Sequence, residues 1–197
     1  MNNYVIYNTT TGRIVAVISS NAPMEAAQLP AGTAALAIPD GVDVGNQTHQ
    51  IDVAQNPPVL EAFVATFAEN QAAKAVTAMQ YFATLFRLPA GFTYSGTLYQ
   101  VDASSLSNIT SMGALATASI ANPNAVPWPS GFYWLAADNS HVAMTAAQML
   151  AFAAAVAGYV SACVLRLRAI KDSIVATADQ AALDAIDVTA GYPTASA

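Results

Sequence analysis

Met149, Ala153, Val156, Val160, Cys163, Leu167, Ile170 and Ile174 follow one another at alternating steps of four and three residues. An α-helix turns once per 3.6 residues, so this spacing holds all these side chains on one side of a long helix. A stripe of that period forms a coiled-coil seam or a helix-on-helix core. Thr145-Ala-Ala-Gln148 stands just ahead of it with capping-box spacing, which predicts where the helix starts. Met144 to Leu165 is free of formal charge and long enough to cross a bilayer, and Arg166, Arg168 and Lys171 follow it. Thr145, Gln148, Ser161 and many alanines interrupt its hydrophobicity, so the stretch reads as a protein core helix and no membrane partner is expected.

A second stripe, Leu60, Val64, Phe67, Gln71, Ala75, Ala78, Phe82 and Leu85, has the same alternation. Pro57-Pro58 precedes it and Pro89 and Gly91 end it, which predicts one connecting helix over 57–88. The remainder reads as short β segments and turns. Tyr4–Tyr7 and Ile14–Ile18 flank the turn cluster Asn8–Gly12 as a hairpin. Residues 21–56 read as irregular, with short strands at Ala34–Ile38 and His49–Val53 and turn signals at Pro30-Ala-Gly32 and Pro39-Asp-Gly41. Phe92–Tyr94 and Thr97–Val101 flank Ser95-Gly96 as a second hairpin. Asp102 is placed to cap a helix running to about Ile120. Phe132–Ala136 and Val142–Met144 form a third strand pair around Asp138-Asn139, Thr177–Ile186 a short last helix, and Gly191–Ala197 a mobile tail unless docked. The fold class is α+β: a β-rich head over 1–56, the long amphipathic helix over 57–88, and a domain over 89–197 in which a small β-hairpin sheet packs on long helices.

Composition narrows the function. Charged residues make up 9% of the chain, against roughly 25% in an average soluble domain. A surface so poor in charge suits a subunit covered by a partner or by copies of itself. The net charge of −6 and the lack of a basic stripe argue against nucleic acid. Arg166, Arg168 and Lys171 are read as complementing the dipole of the long helix. The opening Met-Asn-Asn-Tyr has no basic segment followed by an apolar run, so no signal peptide is expected and synthesis in a cytoplasm follows.

Chemistry is sparse. Cys163 sits inside the apolar stripe and reads as a buried hydrophobe, and with two histidines far apart it makes no metal-ligand spacing. Asp40, Asp43, Asp52, Asp102, Asp138, Asp179, Asp184 and Asp187 fall in turns or at helix ends, where capping and solvation account for them. His141 near Asp138 lacks a nucleophile-elbow serine pattern. No phosphate-binding, dinucleotide or calcium loop is present in the sequence. An enzyme, a metal and a cofactor are not expected. Trp128, Phe132, Tyr133 and Trp134 form an aromatic cluster in a Pro/Gly frame. It reads first as the core of the small sheet, with Trp128 the more exposed member, and second as a contact surface for a partner or glycan.

The order from Phe92-Thr-Tyr-Ser-Gly-Thr-Leu-Tyr-Gln-Val-Asp102, through Phe132-Tyr133-Trp134 and Asp138-Asn139-Ser-His-Val142, to Leu-Arg-Ala-Ile-Lys-Asp-Ser-Ile in the long helix resembles a domain of uncharacterised function found in phage tail-fibre proteins and tail-fibre assembly proteins. Tyr4-Val-Ile-Tyr with Thr11-Gly12-Arg13-Ile14 is similar to the opening of phage tail-fibre accessory proteins. The resemblance covers roughly residues 90–187 and, loosely, the first 60. It implies a structural or assembly protein of the virion tail, made in a bacterial host cytoplasm. Its partners would be a tail-fibre or baseplate protein and further copies of itself. The residues expected to meet a partner are Val156, Val160, Leu167, Ile170, Phe67, Phe82 and Trp128. The alternative is a receptor- or glycan-binding module of the fibre, with Trp128, Trp134 and nearby tyrosines facing outward.

Overall fold

The computed structural model describes residues 2–25, 28–38, 42, 44 and 49–197. The expected turn at Pro39-Asp-Gly41, together with Asp40 and Asp43, lies outside them. The chain is α+β and divides into two compact units, 1–66 and 67–197.

In the first unit, β1 (Asn2–Asn8) is the centre of an antiparallel sheet, with β2 (Ile14–Ser20) on one side and β3 (Thr33–Ile38) on the other. The expected first hairpin is present. Asn8 closes its turn by accepting the N–H groups of Thr10 and Thr11 on Oδ1, each at 2.9 Å. Gly12 ends the turn at φ +70°, and its carbonyl accepts the N–H of Ile51 at 2.9 Å. A Cβ on Gly12 would collide with the Ile51 carbonyl, so glycine is required there for conformation and for space. Ile51 belongs to β4 (His49–Asp52), which pairs with β5 (Val59–Ala62). Val5, Tyr7, Ile14, Ile38, Val44 and Ile51 make the core of this unit.

The strand at 59–62 corrects the helix expected over 57–88. Leu60 lies opposite Ile51 across the pair and packs on that core. The backbone bonds and burial gained there override the helical preference of Leu, Glu and Ala. Val64, assigned to the inward stripe, is 72% exposed. The helix that does form, α1 (Phe67–Thr84), keeps the rest of the stripe inward and belongs to the second unit.

That unit continues through β6 (Phe92–Tyr94), β7 (Thr97–Tyr99), α2 (Ala103–Ala121), β8 (Tyr133–Leu135), β9 (His141–Ala143), α3 (Ala146–Ala176) and α4 (Gln180–Asp184). Ser95 at φ 49° and Gly96 at φ 81° give the β6–β7 hairpin a primed turn, whose twist matches its strands. The capping box opens α3 as the spacing predicts: Gln148 N–H donates to Thr145 Oγ1 at 3.3 Å, and Thr145 N–H donates to Gln148 Oε1 at 2.8 Å. The 31 residues of α3 make a rod about 46 Å long. Both α1 and α2 pack against it. Met149, Phe152, Val156, Tyr159 and Cys163 are buried among Phe92, Tyr99, Val101, Ile109 and Ala116. Farther along, Ile170 and Ile174 are buried among Ala78, Leu183 and Val188.

The segment after α4 is docked. Thr93 N–H donates to Ala195 O at 2.8 Å, and Ala197 N–H donates to Thr93 O at 3.0 Å, a parallel bridge along β6. Tyr192 joins both apolar clusters of the unit and meets the Tyr81 ring at 5.6 Å with the ring planes tilted by 54°. Arg166 Nε donates to Ala190 O at 2.8 Å. That bond corrects the dipole reading of the cations: α3 runs on to Ala176, and its last turn holds no basic residue. Arg168 is also used locally, with Nε 3.0 Å from the Asp172 carboxylate.

Candidate interaction surfaces

The residues expected to meet a partner are already packed within the chain. Val156 and Ile170 are each 1% exposed. Val160 and Phe82 lie half-buried against the first cluster, and Leu167 and Phe67 against the second. Trp128 is half-buried too: it donates Nε1–H to Met144 O at 2.9 Å and meets Phe132 edge-on at 4.8 Å. Their seams therefore supply the core, and what faces outward is a different set.

That set lies on the other side of α3. Ala147, Ala151, Ala154, Gly158, Ser161 and Leu165 are all exposed and carry no charge. They repeat the four-three spacing of the inward stripe. Leu165 is 69% exposed, beside Val164. The lack of charge extends well beyond α3. Between Arg87 and Arg166 the sequence holds only two formally charged side chains, Asp102 and Asp138. Both are hydrogen-bonded in local caps, Asp102 to Ser105 N–H and Asp138 to Ser140 N–H, each at 2.9 Å. These bonds hold both carboxyls below the usual aspartate range: the Ser105 and then Ser104 bonds at Asp102, the Ser140 bonds at Asp138.

A groove opens between α2 and β8. It has a volume of about 670 Å³, and its lining includes Gln100, Asn108, Met112, Tyr133, Trp134 and Leu135. Tyr133 is the outward member of the aromatic cluster, stacked on His141 at 4.0 Å with ring planes 12° apart. This corrects the expectation that Trp128 is the exposed aromatic, because the Met144 carbonyl holds Trp128 inward. Trp134 lies between the groove and the core, 6.2 Å from Phe152. The polar spacing Ser104, Asn108, Ser111 marked the outward face of α2 in the sequence, but not that an aromatic strand lies beside it.

Among the described residues no group of three or more His, Cys, Asp or Glu is placed to hold a metal ion. Cys163 is fully buried, and burial raises its thiol pKa. Burial also raises Tyr159, beside it. By length and composition α3 is apolar enough to cross a membrane, while its inner face is packed on α1 and α2.

Residues 86–190, over half of the chain, match the family model described as a domain of unknown function, DUF4376. No curated protein and no solved structure matches the chain.

Proposed function

The chain belongs to the DUF4376 family of domains of unknown function, and for this member we propose a role as a non-enzymatic structural or assembly protein of a bacteriophage tail. It acts at the tail fibre or baseplate through protein–protein contact and through association with its own copies. The observation that carries this reading is the uncharged outer face of α3. From Ala147 to Leu165 that face presents small and apolar side chains over five turns of helix. Small side chains let a second helix approach closely, and Leu165 and Val164 supply apolar area to bury. The likeness of the 90–187 segment to tail-fibre-associated domains supports the setting.

Sedimentation of the purified chain tests it, alone and mixed with the tail-fibre protein of the phage that encodes it. A dimer or larger assembly, or a complex with the fibre protein, is the expected result. Leu165→Lys is expected to weaken that association at least tenfold without changing the helix content. A chain that stays monomeric at high micromolar concentration and ignores the fibre protein overturns the proposal. Mass spectrometry of purified virions then separates a permanent tail component, found at stoichiometric copy number, from an assembly factor that leaves.

A further inference from the structure

We propose that the groove between α2 and β8 binds a neutral saccharide. The lining holds no ionised side chain, so a carboxylate, phosphate or ammonium ligand would lose its water with no opposite charge to receive it. It is not a purely apolar slot either. The side-chain amides of Gln100 and Asn108 line it, and neither makes a hydrogen bond to any other described residue. Covering them with hydrocarbon would leave donors and acceptors unpaired, at a cost of about 1–3 kcal/mol each.

An amide offers both a donor and an acceptor, which is what a hydroxyl also offers. Adjacent hydroxyls of a sugar ring can therefore use both ends of Gln100 and Asn108. The same ring has an apolar C–H face. Tyr133, the exposed aromatic of the lining, provides planar surface for it, with Met112 and the half-buried Trp134 also in the lining. Tyr133 is 47% exposed and its ring is held by stacking on His141. An aromatic that is exposed yet held in one orientation loses little entropy when a ligand stacks on it. The volume, about 670 Å³, falls within the 300–1,000 Å³ typical of small-ligand sites. This site lies on the β8 side of α2 and stands whether or not the outer face of α3 associates.

The test uses the full chain on an array of neutral oligosaccharides built from glucose, galactose, mannose and N-acetylhexosamines. Sialylated and sulfated oligosaccharides and apolar peptides are included on the same array. Hits are followed by calorimetry and by tryptophan emission, with Trp128→Phe leaving Trp134 as the reporter. Binding of a neutral oligosaccharide that shifts Trp134 emission is expected. Tyr133→Ala and the double variant Gln100→Ala, Asn108→Ala should each weaken it at least tenfold. All three residues are solvent-exposed, so the melting temperatures of these variants should stay within a few degrees of the parent. Absence of neutral-saccharide binding, preference for acidic saccharides or for peptides, or binding that these substitutions leave unchanged would each overturn the proposal.

Discussion

The carboxylate of Asp102 accepts the N–H of Ser105 at 2.9 Å and the hydroxyl of Ser104 at 2.8 Å, and so begins α2. Its pKa is lowered in the folded chain, first by the Ser105 bond and then by the Ser104 bond. The contribution to stability is therefore full above the unfolded aspartate value, about 3.9, and is lost as pH falls through the lower folded value. Asp102→Ala is expected to cost about 1 kcal/mol at neutral pH in urea unfolding, and the gap to the parent should narrow in acid. Asp102→Asn keeps a capping oxygen and should lose mainly the pH dependence. Such caps were legible in the sequence, because an oxygen-bearing side chain ahead of a periodic apolar run has one common use. The use of a longer side chain was not. Arg166 looked like a dipole partner and instead holds the Ala190 carbonyl, 24 residues away. Trp128 looked exposed and instead donates to Met144, because nothing in its neighbours reveals a carbonyl 16 residues on.

Between elements, α2 and α3 approach closely where Gly113 faces Ala153. A Cβ on Gly113 would stand 2.8 Å from the Cβ of Ala153, inside van der Waals contact. Replacing a helical glycine normally gains up to about 1 kcal/mol, but two methyl groups forced into a packed crossing cost about 1–3 kcal/mol. Gly113→Val is therefore expected to destabilise the chain, with a lower Tm. Gly158, on the free side of α3, meets nothing within 4 Å, and Gly158→Ala should raise the Tm. The two glycines are equivalent in the sequence and differ only in what faces them. Periodicity placed α3 and the inward part of α1 well, because each stripe is long enough to leave one solution, and α2 followed from its Asp102 cap. It failed over residues 59–62. There four residues of mixed preference are claimed by β4, a choice made by a strand that helix spacing does not register.

Over the whole chain, the charges of the second unit other than Arg87, Asp102 and Asp138 lie in α1 or in the stretch from Arg166 onward. Association through the uncharged face should therefore resist salt: sedimentation in about 1 M NaCl, where charges are screened within about 3 Å, should show the same assembly. Ammonium sulfate, which strengthens apolar burial, should tighten it. Dissociation by NaCl would point to ionic contacts instead. The shortage of charge was legible from composition. Which side of α3 stays outside was not, since both sides carry the same spacing and only the packing of α1 and α2 decides it. The groove was still less legible, because it joins residues 100–112 to residues 131–135 through tertiary packing. The docked last segment has a consequence for how the chain is made. Thr93 pairs with Ser196, so about 100 residues of translation separate one edge of β6 from its cover. At about 5–20 residues per second the nascent chain carries that open edge on the ribosome for roughly 5–20 s. The 1–66 unit completes its strand pairs by residue 62 and can close long before then. A product that stalls before residue 195 keeps a bare strand edge beside an apolar core, the kind of fragment that aggregates or is degraded.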